Sequence, residues 1–109
     1  MSRRIAYSPW FDADLHLRIA WYAEQGGVKV AERFVSAVES TVRRVTDNPG
    51  RGRRPYPADP DLAELHCVLI ERPFDKHLLY FRFNDDTLTL ERLLHGAQDR
   101  PRALREPPN

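Results

Sequence analysis

The side chains with the clearest capacity for chemistry are four histidines, His16, His66, His77 and His95, one cysteine, Cys67, and an arginine cluster at Arg51, Arg53 and Arg54. No two histidines stand at the i,i+2 or i,i+4 spacing that prearranges metal ligands on one element. A single cysteine excludes an internal disulfide and an all-cysteine metal site, and fits a reducing compartment. No metal or cofactor is therefore expected. A Gly-rich phosphate loop and a nucleophile elbow are also missing from the sequence. What these residue types can support is acid–base chemistry of the ribonuclease kind. An imidazole with a pKa of about 6.5 moves protons, while guanidinium groups hold the scissile phosphate. His95, Arg82, Tyr80, Arg53 and Arg54 are the candidates, with Arg51 beside them. The structural alternative is that His95 ends the last strand and Arg82 pairs across the ladder with Glu91. A lone histidine at a strand end is more often structural, so a catalytic role is the minority expectation.

The elements that would have to position these groups are bounded by length and charge. At 109 residues the chain can build one hydrophobic core but no separate catalytic lobe. An apolar fraction of 41% with eleven aromatic residues is that of a folding, globular chain. Seventeen basic and sixteen acidic residues leave a net charge of +1, so nothing global argues for a nucleic-acid or membrane partner. No direct sequence-specific nucleic-acid binding is expected. No apolar run approaches the roughly 18 residues of a membrane span, and MSRRIAYS lacks a signal-peptide core; a cytoplasmic location is expected.

Arg3 to Tyr7 suits a short strand that starts a sheet. Ser8-Pro9 offers an N-cap hydroxyl and a proline at the first helical position, with Asp12 near the positive end of the helix dipole, so a helix should run to about Gln25. Phe11, Leu15, Ile19 and Tyr22 mark one apolar flank and Trp10, Leu17 and Trp21 a second, which predicts a helix wedged between other elements. Gln25-Gly26-Gly27 breaks it. A second helix follows from Val28 to about Asp47, its stripe marked by Val28, Ala31, Phe34 or Val35, Val38, Val42 and Val45, and Asn48-Pro49-Gly50 ends it. Pro49 to Asp61 is a cationic loop, more simply read as a solvated connector than as a phosphate contact.

From Leu65 the period switches to two, and three runs, Leu65–Ile70, His77–Phe83 and Thr87–Leu94, read as an antiparallel meander. The fold class is α+β: an N-terminal strand, an antiparallel helical hairpin and a three-stranded antiparallel meander. A two-residue turn at Asp85-Asp86 would pair Phe83 with Leu88, Phe81 with Leu90 and Leu79 with Arg92 on the face that receives the helices. The other face would carry Leu78, Tyr80, Arg82, Glu91, Leu93 and His95. Such a mixed surface is expected to meet a partner, the C-terminal tail or a substrate. Residues 100–109 form a Pro/Arg-rich tail, mobile or laid along the sheet, after a single domain of residues 1–99.

This order of elements, with Asp14-Leu15 in the first helix, Asn48-Pro49-Gly50-Arg51-Gly52, the Pro73-Phe74 entry to the second long strand, and the ending Arg92-Leu93-Leu94-His95-Gly96-Ala97-Gln98-Asp99, resembles the ParE branch of the RelE/ParE superfamily of bacterial toxins, often labelled plasmid stabilisation proteins. The resemblance implies the toxin of a type II toxin-antitoxin pair, neutralised by a cognate antitoxin. ParE-like members are reported to poison DNA gyrase, whereas RelE-like members cut messenger RNA on the ribosome. Fold cannot choose between these. No tyrosine follows Tyr80, and a net charge of +1 lacks the basic surface a ribosome-dependent nuclease would use. The expectation is thus a gyrase inhibitor without catalysis of its own. The alternatives are a RelE-like endoribonuclease and a non-toxic binding module, and Leu78, Tyr80 and Leu93 are the expected antitoxin contacts.

Overall fold

The computed structural model describes residues 3–98 and 100–108. Its elements are β1 (Arg4–Tyr7), α1 (Pro9–Gly26), α2 (Val28–Asp47), a 3-10 turn (Pro49–Arg51), β2 (His66–Leu69), β3 (His77–Phe83), β4 (Thr87–His95) and a short α3 (Arg100–Ala103). The sheet order is β1-β4-β3-β2. β2, β3 and β4 form the expected antiparallel meander, and β1 adds in parallel to β4, with Tyr7 opposite Leu90.

Local chemistry sets the helix ends. The Ser8 hydroxyl accepts the Phe11 N–H at 2.9 Å, with Pro9 opening the helix. Gly27 stands at φ 87°, a left-handed conformation that lets α1 turn directly into α2. On α2 the buried stripe is Ala31, Phe34, Ala37, Val38, Thr41, Val42 and Val45. It packs with Phe11 of α1 on Leu79, Phe81, Leu88, Leu90 and Leu93. The expectation for α1 is half met, since Trp10, Leu17 and Trp21 are exposed. Only one flank of that helix is covered.

The hairpin register agrees with expectation near the turn and departs from it further on. Phe83, Arg82 and Phe81 oppose Leu88, Thr89 and Leu90, but Tyr80 then opposes Arg92, Leu79 opposes Leu93 and Leu78 opposes Leu94. Glu91 is the extra residue of a β-bulge, and a one-residue slip exchanges faces for everything beyond it. Leu93, expected outside, therefore faces the helices, while Leu94 faces away with Leu78 and Tyr80. The cause lies in β1. After Tyr7 the chain leaves the sheet for α1: the Ser8 N–H donates to the Leu90 carbonyl at 2.9 Å and its hydroxyl to the Glu91 carbonyl at 2.7 Å. Past that point β4 has no strand on this edge, and Asp14 of α1 accepts the Leu93 N–H at 3.0 Å in its place.

The face away from the helices is a second small core of Leu62, Leu65, Cys67, Leu78, Tyr80, Leu94 and Leu104, flanked by Tyr56 and Ala103. The cationic loop and the tail cover it, so the tail is laid along the sheet. Leu104→Ala should lower stability by about 2 kcal/mol, because among the described residues Leu104 is the one large apolar side chain that the tail puts into this core. Urea denaturation of both chains measures it.

Candidate functional site

The residues that would assemble a nuclease are dispersed. His95 lies on the helix side of the sheet, opposite His77, and that rung is five residue steps along β3 from Arg82, roughly 16 Å at strand spacing. Tyr80 and Arg82 project to the opposite face. Tyr80 is 1% exposed, and burial pushes its hydroxyl well above the usual phenol range, ahead of its neighbour Cys67, so it is no proton donor near neutrality. Arg82 lies 3.6 Å from Glu91 and donates to the Asp61 carbonyl at 3.0 Å. Arg54 donates to the Ala63 carbonyl at 2.7 Å, and Arg53 bridges Cys67 through backbone hydrogen bonds. These contacts hold the loop against the sheet. No common phosphate could touch His95 and Arg82 together.

The expected antitoxin contacts are buried in the free chain. Leu78 is 4% exposed and Leu93 5%, and Leu93 stands on the other side of the sheet from Leu78 and Tyr80. The bulge removed Leu93 from the shared surface, and the tail and loop closed over the other two.

Two polar assemblies do form. In the first, Arg92 is buried and holds Asp14 through two bonds, Nε to Oδ2 at 2.7 Å and Nη2 to Oδ1 at 3.1 Å. Its Nη1 donates to the carbonyls of Ala103 and Glu106 at 2.6 and 2.9 Å, and the guanidinium lies 5.1 Å from the Trp10 ring centre. One side chain thus ties α1, β4 and the tail together. The signal was present in the sequence as two charges within apolar flanks, Asp14 among helix-face residues and Arg92 among leucines. Only the bulge shows why they meet.

The second assembly is at the end of the sheet. His77 is 2% exposed, shares a 2.8 Å hydrogen bond with the Tyr22 hydroxyl, and sits edge-on to His95 at 5.1 Å between ring centres. Burial lowers the His77 pKa to about 4, with Arg18 and His95 adding to it. His95 is lowered by burial first and then by Arg18 and Lys76. Its Nδ1 accepts the Ala97 N–H at 3.0 Å, which leaves the ring proton on Nε2, and its backbone N–H donates to Gln98 Oε1 at 2.7 Å. His95 does end the strand, as the structural alternative held. It also belongs to a cluster with Tyr22, His77, Arg18 and Lys76.

Among the described residues no three His, Cys, Asp or Glu side chains gather as a metal would require, and no helix is long and apolar enough to cross a membrane. A solved structure described as the chromosomal ParDE toxin-antitoxin system from P. aeruginosa superposes with a TM-score of 0.69 at 16% identity, over 86% of this chain and 96% of that one. That likeness shows the fold. No curated protein matches in sequence. The family model described as ParE toxin of type II toxin-antitoxin system, parDE, matches residues 5–100, from β1 to the start of α3, so the chain belongs to the ParE toxin family.

Proposed function

We propose that this protein is the toxin of a type II pair, inhibits DNA gyrase through protein contacts, and is neutralised by a cognate antitoxin. The observation that carries the proposal is the family match over residues 5–100. Support for contact over catalysis comes from the separation of His95 from Tyr80 and Arg82 on opposite faces of the sheet. Arg54 and Arg82, two of the nuclease candidates, are engaged in holding the loop and strand, an arrangement better suited to docking than to cutting RNA.

The test uses the purified protein in a gyrase supercoiling assay with a parallel DNA-cleavage readout. Loss of supercoiling and accumulation of cleaved DNA are expected, both reversed by the antitoxin. No effect at high micromolar concentration would count heavily against gyrase as the target. Truncated transcripts in induced cells that disappear in His95→Ala would favour the endoribonuclease instead. Normal growth on induction would point to the non-toxic binding module.

A further inference from the structure

The sheet has two edges, and the chain treats them differently. On the β2 edge the cationic loop takes up the outward groups of Cys67: the Arg53 N–H donates to the Cys67 carbonyl at 3.1 Å and the Cys67 N–H to the Arg53 carbonyl at 2.8 Å. The β1 edge has no such cover. The Arg4 N–H donates to the Asp86 carbonyl at 2.8 Å and the Ser8 N–H to the Leu90 carbonyl at 2.9 Å, in a parallel register that sets Arg4 against Thr87 and Tyr7 against Leu90. Backbone groups alternate in direction along a strand, so Arg4, Ala6 and Ser8 turn theirs to β4 while Arg3, Ile5 and Tyr7 turn theirs outward. Among the described residues no hydrogen bond engages the backbone N–H or C=O of these three. An open strand edge is a template for another strand.

Beside that edge, between β1 and the helices, runs an apolar groove of about 410 Å³ walled by Ile5, Tyr7, Phe11, Val35, Val38 and Val42. Tyr7 is 56% exposed, the most open aromatic ring among the exposed large apolar side chains. Glu39 and Arg43 line the same groove from α2, one helical turn apart and both exposed. Neither enters an ion pair among the described residues. The edge supplies backbone partners and the groove supplies room for alternate side chains, which are the two requirements of strand addition.

We propose that the strand added here is β1 of a second copy of this chain, antiparallel and centred on Ile5, so that two sheets join across a two-fold axis. The outward residues are complementary to themselves. Turning Arg3, Ile5 and Tyr7 end for end sets Ile5 against Ile5 of the second copy and Arg3 against Tyr7 of the second copy, a cation beside an aromatic ring. In the rungs between, Arg4 meets Ala6, so no like charges face each other in the ladder. The same axis puts the helices of both copies on one side of the joined sheet and turns the two α2 helices end for end, which brings Glu39 of each copy towards Arg43 of the other. A net charge of +1 does not oppose self-association. The dimer does not depend on gyrase being the target, since it is measured on the chain alone.

The test is sedimentation equilibrium of the full chain from about 1 µM to about 1 mM, with amide hydrogen exchange followed by NMR at both ends of that range. A monomer–dimer equilibrium is expected. The Ile5 and Tyr7 amides should exchange freely in the monomer and become protected as the dimer fills, whereas the Ala6 amide, bonded to β4, should be protected in both. Arg43→Glu should raise the dissociation constant about tenfold or more, and Glu39→Arg/Arg43→Glu should restore it by exchanging the two signs. Both positions are exposed, so urea denaturation of these variants should match the parent. A monomer throughout the range, a dimer whose Ile5 and Tyr7 amides still exchange freely, or an unchanged dissociation constant in Arg43→Glu would each overturn the proposal. Protection of those amides only when the antitoxin is added would overturn it too, and would assign the edge to an antitoxin strand.

Discussion

Arg92→Ala is expected to destabilise the protein by about 3–5 kcal/mol, the range for breaking a buried ion pair by removing one partner. The cost comes less from the lost attraction than from what stays behind. Asp14 would keep the Leu93 N–H but lose both guanidinium bonds, and the carbonyls of Ala103 and Glu106 would lose their donor. Arg92→Lys should not rescue it, since an ammonium cannot match the two-point geometry to Asp14 while reaching the tail. The double variant Asp14→Leu/Arg92→Met should cost clearly less than the two single changes together, because it leaves no orphaned charge. Urea denaturation of the parent, Arg92→Ala, Arg92→Lys, Asp14→Leu, Arg92→Met and the double variant measures this, and trypsin should cut the tail of Arg92→Ala sooner than that of the parent. A loss below about 1 kcal/mol in Arg92→Ala would mean the pair is no tie at all.

That same pair marks the limit of what the sequence discloses. Ser8-Pro9, the two glycines at 26 and 27 and Asn48-Pro49 place both helices within a residue or so, because capping and chain breaking are local effects. The inner half of the hairpin is equally legible from its alternation. Beyond Leu90 the pattern TLTLERLLH reads as continuous alternation, with no glycine or proline to announce a bulge. The bulge at Glu91 is dictated from 83 residues away, by where Ser8 turns the chain out of the sheet. Leu93 and Leu94 exchange faces for that reason, and Leu93 is parted from Leu78 and Tyr80 by the exchange. The tail was illegible for a related reason: its prolines argue correctly against a long helix, but Leu104 finds its core only once Leu94 faces that side. The family ending was readable as a pattern, yet its arginine proves to be a structural tie and its histidine packs against His77 of β3, which in turn bonds Tyr22 of α1.

The histidine at the start of β3 should make the fold sensitive to mild acid. His77 is buried against the Tyr22 and Phe34 rings, and its pKa falls to about 4 when folded, from about 6.5 when unfolded. Between these values the unfolded chain takes up a proton that the folded chain refuses. The stability held by keeping the ring neutral is therefore complete above about pH 6.5 and is lost as pH falls towards 4, by about 3 kcal/mol in total. His95 contributes with the same sign. His77→Gln offers Tyr22 a hydrogen-bond partner but cannot titrate, so its stability should fall by roughly 2 kcal/mol less than the parent's between pH 7 and 4.5. Denaturant melts across that range give both profiles, and NMR of the folded parent at pH 5 should find the His77 ring still neutral. Parallel profiles, or a protonated His77 at pH 5, would show that the ring is not held neutral by burial.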